Sequence, residues 1–153
     1  MVIAKRNADY LSFASVCQNG TASVRHMPPS PIKTVLVVDD SRFFRTATER
    51  TLLKSGYGVV TASDGEEALR VAREKLPNLV LLDMLLPKLD GAGVLRRLKA
   101  EPATAKIPVL VLTSLSQRNE EKLVKDGAAG FLEKEQLTKD PQPLLEAIAR
   151  LLR

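Results

Sequence analysis

From residue 34 onward, short aliphatic runs alternate with segments whose apolar residues recur at helical spacing. Each run is apolar at successive positions, which is typical of strands buried on both faces. The predicted strands cover residues 34–39, 57–62, 79–83, 109–113 and 129–132. Because such strands belong to parallel sheets covered by helices, the pattern predicts an α/β fold.

Five amphipathic segments follow the strands and predict five helices. Their signals are Ser41 near a cap, a Ser-x-x-Glu capping box of Ser63 and Glu66, Asp90 before Gly91, the weak amphipathic pattern of 117–125, and Asp140 before Pro141. Right-handed crossovers between parallel strands then produce a doubly wound sheet, for which the strand order 2-1-3-4-5 is common.

Residues 1–33 show no sustained period and end in a cluster of prolines. Proline restricts both itself and the residue before it, so we expect a disordered or extended N-terminal tail. Met27 is an alternative start of the natural chain, which N-terminal sequencing would test. We expect one domain over residues 34–153 and no output domain, since the chain stops just after the fifth predicted helix.

The net charge of +5 suggests a nucleic-acid partner at first sight. Residues 1–33 carry four basic residues and one acidic residue, which is +3, so the remaining residues carry only +2. Aromatic residues are 4% of the chain and tryptophan is missing, which leaves little material for stacking bases. We therefore expect no nucleic-acid partner.

Composition also bears on the compartment. The longest aliphatic runs have four residues, far short of the roughly 20 that a membrane-spanning helix needs, so we expect no membrane partner. Asn7 and Asp9 follow Lys5 and Arg6 where a signal peptide would be apolar. The single cysteine, Cys17, cannot form an internal disulfide, which suits a reducing cytoplasm. We expect a cytoplasmic protein.

Polar residues stand where the predicted strands end. These residues are Asp39 and Asp40, Asp83, Thr113 and Lys134. In doubly wound sheets, ligands bind beyond the carboxyl ends of the strands. Three crowded carboxylates repel each other and favour a hard divalent cation such as Mg²⁺. A carboxylate can also act as a nucleophile and become an acyl phosphate, whose charge a metal and a lysine would neutralise.

Four segments carry a resemblance to a known family. They are VLVVDDS, LVLLDMLLPKLDG, PVLVLTS and GAAGFLEK, and together with ASDGEEAL they occur in one order at strand ends and helix starts. The chain from residue 34 to 153 resembles response-regulator receiver domains of two-component signalling, of the single-domain type found in chemotaxis regulators. The resemblance implies a flavodoxin-like fold and a signalling phosphoacceptor rather than an enzyme.

The resemblance also implies a phosphorylation site and a metal site. Asp83 would receive phosphate from a phosphohistidine on a histidine kinase or a histidine phosphotransfer protein. Asp40, Asp83 and the Leu85 backbone carbonyl would bind Mg²⁺, and Asp39 would act on the metal through water. Asp39 and Asp40 alone are also compatible with acids favoured at a helix N-terminus.

The remaining roles concern the response to phosphate. Lys134 would hold a phosphate oxygen, Thr113 would swing towards the phosphate, and Phe131 would move inward with it. The face of the fourth helix, fifth strand and fifth helix would then change its affinity for a downstream protein. The family usually has proline after the lysine, whereas Glu135 follows Lys134 here.

Two leucines suggest a long-lived phosphate, and two other functions stay open. Leu85 and Leu115 stand two residues after Asp83 and Thr113, and we hypothesise that they shield the acyl phosphate from water. One alternative is an interaction module on a receiver fold that works without phosphorylation. The other is an aspartyl-phosphate hydrolase, whose Asp-x-Asp motif the sequence VVDDS lacks.

Overall fold

The computed structural model describes residues 31–114 and 120–153 of the chain. Strands and helices alternate along these residues. The strands are β1 (Thr34–Val38), β2 (Gly58–Ala62), β3 (Leu79–Asp83), β4 (Val109–Thr113) and β5 (Gly130–Glu133). The helices are α1 (Arg42–Lys54), α2 (Gly65–Lys75), α3 (Gly91–Ala100), α4 (Glu120–Lys125), α5 (Lys134–Lys139) and α6 (Gln142–Leu151).

The five strands form one parallel sheet in the order β2-β1-β3-β4-β5. Two apolar clusters cover its faces. The first core cluster joins even-numbered residues of β1 and β3 to α2, α3 and α4, and the second joins their odd-numbered residues to α1 and α6. The predicted doubly wound, flavodoxin-like architecture and its strand order are confirmed.

The number of helices was predicted wrongly: six helices, not five, lie within residues 31–114 and 120–153. The additional helix is α5, a six-residue segment that begins at Lys134 and has no buried residue. Because Leu137, which packs against the second core cluster, is its only apolar residue, the helix leaves no hydrophobic period in the sequence. The segment after Lys134 is therefore helical where a loop was expected.

Helix starts follow side-chain capping, with one shift. Ser41 caps α1 by accepting a hydrogen bond from the Phe44 amide at 3.4 Å. The predicted capping box at Ser63 and Glu66 is displaced by one residue. Asp64 is the cap and accepts from the Glu67 amide at 2.8 Å, while the Glu67 carboxylate accepts from the Ser63 amide at 2.8 Å.

Several predictions concern residues outside the described ranges. They include most of the predicted tail, residues 117–119 of the predicted fourth helix, and Leu115. For α4, the structure describes Glu120–Lys125. The predictions about the tail and Leu115 stay predictions.

Two glycines let the β3–α3 connection pack closely against its neighbours. A Cβ on Gly65 would collide with the Leu89 carbonyl oxygen, and a Cβ on Gly91 would collide with the Asp83 carbonyl oxygen. Both positions therefore need a residue without a side chain. The close packing holds the loop that follows Asp83 between the sheet and the start of α2.

Candidate functional site

The strand registers bring the predicted site residues to one edge of the sheet. Val38 pairs with Leu82, so Asp39 and Asp83 follow at the same level on neighbouring strands. Thr113 pairs with Glu133, the last residue of β5, so Lys134 lies one residue beyond that level. All of these residues stand at carboxyl ends of parallel strands, where such sheets bind their ligands.

Alternation along the strands then separates the residues by face. Asp39 and Asp83 have odd numbers, like the residues of β1 and β3 in the second core cluster, so they belong to the same face of the sheet. This cluster also includes Phe44 of α1. Thr113 has the parity of Val109 and Val111, which enter the first core cluster. The carboxylates and Thr113 thus lie at the same sheet edge on opposite faces.

Asp39, Asp40 and Asp83 form a carboxylate cluster, in which one oxygen from each lies within 4.8 Å of the others. The side chain of Asp39 is completely buried and that of Asp83 is 6% exposed, whereas Asp40 is exposed. Asp39 Oδ1 accepts from the Ser41 amide at 2.8 Å, which ties the end of β1 to the cap of α1. The structure thus brings these three carboxylates together at the sheet edge.

Lys134 is the cation of this cluster. Its Nζ lies 2.6 Å from Asp39 Oδ2 and donates to Asp83 Oδ2 at 3.2 Å, while its side chain is 22% exposed. The same Nζ lies 4.5 Å from the centre of the Phe44 ring. Within the described residues, the only salt bridges to this cluster are those of Lys134 with Asp39 and Asp83.

Electrostatics shift the pKa of both partners upward. Burial raises the pKa of Asp83, and the nearby charge of Asp39 adds to this, while Lys134 opposes it. For Lys134, burial lowers the pKa, but the hydrogen bonds and charges of Asp39 and Asp83 more than offset that effect, so the pKa is raised. Lys134 therefore stays charged, and the ionised form of Asp83 is less favourable here than in water.

The donor set fits a hard divalent cation. Three carboxylates lie together and Lys134 pairs with two of them, which leaves an excess of negative charge, and carboxylate oxygens are the ligands that Mg²⁺ prefers. Asp39 Oδ2 is buried and paired with Lys134 at 2.6 Å, whereas Asp40 is exposed and has no salt bridge within the described residues.

The loop after β3 borders the carboxylate cluster. The Leu85 amide donates to Asp83 Oδ1 at 3.3 Å, so Leu85 follows closely on the carboxylate, and its side chain is 62% exposed. Further along the loop, Lys88 Nζ donates to Asp64 Oδ2 at 2.9 Å. This contact joins the loop to the cap of α2.

Thr113 and Phe131 lie on the face of the sheet that carries the first core cluster. Thr113 is buried, and within the described residues it makes no hydrogen bond to Asp83. Phe131 is half-buried and packs against the first core cluster. It also lines an open cavity of about 420 Å³, whose other lining residues are Glu120, Glu121, Val124 and Lys125.

Three contacts at the site went unnoticed in the sequence. The Phe44 ring lies beside the Lys134 ammonium, Arg45 donates to the Asp39 carbonyl at 2.6 Å, and Lys88 pairs with Asp64. Phe44 and Arg45 lie one helical turn after the acidic pair, which is the signal that could have indicated them. Nothing in the sequence indicates the pairing of Lys88 with Asp64, 24 residues away.

The sequence profile of the family described as response regulator receiver domain matches residues 35–149. The chain belongs to this family. Receiver domains are signalling phosphoacceptors of two-component systems, and the predicted family is confirmed.

Curated relatives contain this receiver domain as one part of a longer chain. The gliding motility regulatory protein of Myxococcus xanthus is 42% identical over 130 residues, which are 84% of this chain and 16% of the relative. The alkaline phosphatase synthesis transcriptional regulatory protein PhoP of Bacillus subtilis is 38% identical over 119 residues, which are 77% of this chain and 49% of the relative. The chain thus spans at most about half of these relatives.

Solved receiver domains share the architecture. A chemotaxis protein from Vibrio cholerae is 31% identical with a TM-score of 0.72, and the match covers 79% of this chain and 99% of that one. The receiver domain of a sensor histidine kinase from Pseudomonas aeruginosa is 27% identical with a TM-score of 0.62, covering 71% of this chain and 93% of that one. The latter was solved with a magnesium ion coordinated in its active-site cleft.

Two further observations concern nucleic-acid binding and membrane-spanning helices. The relative PhoP is named a transcriptional regulator, so the absence of a nucleic-acid partner stays a prediction. Among the described residues, the receiver domain has no helix both long and apolar enough to cross a bilayer.

Proposed function

We propose that this receiver domain accepts a phosphoryl group on Asp83 from the phosphohistidine of a histidine kinase or a histidine phosphotransfer protein. One observation carries the proposal: the nearly buried Asp83 carboxylate lies in hydrogen-bond contact with Lys134 and beside two further carboxylates. In the transfer, an Asp83 oxygen bonds to phosphorus, the phosphorus–nitrogen bond to the imidazole breaks, and the imidazole nitrogen keeps the electron pair.

Each residue of the cluster has a proposed part in that step. Asp40, Asp83 and the Leu85 carbonyl would hold Mg²⁺, with Asp39 acting on it through water. Bound there, the ion would neutralise charge on the phosphoryl oxygens. Lys134 would bind a phosphoryl oxygen, and its contact with Asp39 would keep its ammonium next to Asp83.

The output of this switch would be altered affinity for a downstream protein. Thr113 would turn towards the phosphate and Phe131 would follow it inward. The cavity beside Phe131 borders α4, so that movement would reshape the face made by α4, β5 and α6. We propose that residues 34–153 act as a stand-alone regulator in the cytoplasm.

Phosphorylation by a small phosphodonor tests the proposal directly. The chain is incubated with phosphoramidate or acetyl phosphate and Mg²⁺, and the intact mass is measured. We expect the mass gain of one phosphoryl group in the wild type and in the Asp140→Asn control, whose carboxylate is exposed outside the cluster. Asp83→Asn should show no gain.

The same measurement separates the alternatives. A wild type that gains no mass, also with purified kinases of its host, would overturn the proposal and favour an interaction module that works without phosphorylation. Steady turnover of small phosphate esters would instead indicate a hydrolase.

A further inference from the structure

The ammonium of Lys134 is enclosed on three sides by groups from three different elements. Asp39 follows β1, Asp83 ends β3, and Phe44 lies in the first turn of α1. Two of these contacts are carboxylates at 2.6 and 3.2 Å, and the third is the face of an aromatic ring whose centre is 4.5 Å away. That distance lies within the roughly 6 Å over which a ring attracts an ammonium.

The Phe44 ring is fixed in position by its packing in the core. It is only 8% exposed and belongs to the second core cluster, together with residues of β1, β3 and α6. Its amide is also engaged by the α1 cap through Ser41. The ring is therefore held by packing, whereas the four-carbon stem of Lys134 has many rotamers of its own.

The three contacts respond differently to the chemistry at Asp83. A divalent cation at the carboxylates competes with Lys134 for their negative charge, and esterification of Asp83 as an acyl phosphate removes that charge from Asp83 itself. Neither event changes the quadrupole of the Phe44 ring. The aromatic contact is thus the one that keeps its strength throughout the reaction.

We propose that Phe44 is a positioning residue for phosphoryl transfer: its ring face holds the Lys134 ammonium at the phosphoacceptor. The inference rests on the proposed function, since it needs Lys134 to act on a phosphoryl oxygen. The Phe44 side chain has no polar group for a phosphoryl oxygen; it acts through Lys134.

Substitutions that remove or keep the ring test the inference. Phe44→Met keeps an apolar side chain of similar volume without a ring, and Phe44→Leu is a second variant of this kind. Phe44→Tyr keeps the ring, and a cavity of about 250 Å³ that Phe44 lines offers room for the hydroxyl. Phe43→Met is the matched control, because Phe43 is the neighbouring phenylalanine but is 82% exposed.

The measured quantity is kcat/KM for phosphorylation of the chain by phosphoramidate with Mg²⁺, obtained by following the intact mass over time. We expect Phe44→Met and Phe44→Leu to lose about threefold to tenfold, and Phe44→Tyr and Phe43→Met to stay within about twofold of the wild type. The affinity for beryllium trifluoride, which imitates the phosphoryl group, should fall in the same order without any turnover.

A second background separates positioning from a general structural role. In a Lys134→Ala chain, Phe44→Met should cause no further loss of kcat/KM or of beryllium trifluoride affinity, because the ammonium that it positions is gone. An equal loss in both backgrounds, or folded non-aromatic variants as active as the wild type, would overturn the inference. A wild type without phosphorylation would overturn the proposed function instead, so the two failures are distinguishable.

Discussion

Asp39 Oδ2 and Lys134 Nζ lie 2.6 Å apart, with the carboxylate completely buried and the lysine side chain only 22% exposed. The two residues are distant in sequence and come from opposite sides of the β3 strand, which separates β1 from β4 and β5 in the sheet. Their contact therefore spans the cleft in which Asp83 lies. Because Lys134 also bonds to Asp83, one ammonium compensates two nearly buried carboxylates.

Removing this ammonium should destabilise the fold in a way that a divalent cation repairs. Lys134→Ala leaves two nearly buried carboxylates without their cation, so the free energy of unfolding should fall by about 1–3 kcal/mol. Added Mg²⁺ should restore much of this loss, since it supplies the missing positive charge. Urea unfolding with and without Mg²⁺ measures both effects.

The control for that experiment is Lys139→Ala, an exposed lysine at the end of α5. We expect it to change the free energy of unfolding by no more than about 0.5 kcal/mol, with or without the metal. If Lys134→Ala behaves like this control, Lys134 does not neutralise the cluster.

The raised pKa of Asp83 predicts a pH-dependent stability. A carboxyl group whose pKa is higher in the folded state binds its proton more tightly there, so the wild type should lose stability as the pH rises from the usual aspartate range through the folded pKa. Asp83→Asn lacks this loss. Without Mg²⁺, we expect Asp83→Asn to have a higher Tm than the wild type at pH 7.5, with the gain shrinking as the pH is lowered into the acid range.

Thermal unfolding at a series of pH values checks this prediction. The Asp140→Asn control should follow the wild-type curve, because its carboxylate is exposed and lies outside the cluster. A gain in Tm for Asp83→Asn that is constant over the whole series would contradict a raised pKa.

Mg²⁺ should stabilise the wild type through the carboxylate cluster. A ligand that binds only the folded state raises the free energy of unfolding with its concentration, so Tm should rise as Mg²⁺ is titrated. Asp40→Asn removes an exposed ligand without disturbing the core, and we expect it to need about tenfold more Mg²⁺ for the same rise. An unchanged titration curve would exclude Asp40 as a ligand.

The exposed Leu85 side chain should lengthen the life of the phosphorylated state. Leu85 is 62% exposed and its amide donates to Asp83 Oδ1, and the hypothesis is that its side chain covers an acyl phosphate against water. Replacing it by asparagine should speed phosphate loss several-fold, whereas Leu85→Met should keep the wild-type lifetime. Intact mass followed over time after removal of the phosphodonor measures this, and equal lifetimes for both variants would refute the shielding hypothesis.

Much of the site was predictable because its residues stand at strand ends. Asp39, Asp83 and Lys134 interrupt or follow aliphatic runs, and a parallel sheet brings all its carboxyl ends to one edge. Phe44 was not predictable as part of the site. A phenylalanine at helical spacing looks the same whether its ring packs only against leucines or also against an ammonium.

The amino-acid sequence alone determined the α/β class and carried the family resemblance, because buried parallel strands need continuous apolar runs and polar residues at their ends. It favoured the strand order only as the common one for such sheets. Only the tertiary structure decided that Lys134 opens a short helix, and that its ammonium meets Asp39, Asp83 and the Phe44 ring. The physical reason is that Leu137 is the only apolar residue of α5, so the helix leaves no hydrophobic period. Contacts between side chains of distant elements depend on sheet register and helix packing, which a local pattern does not contain.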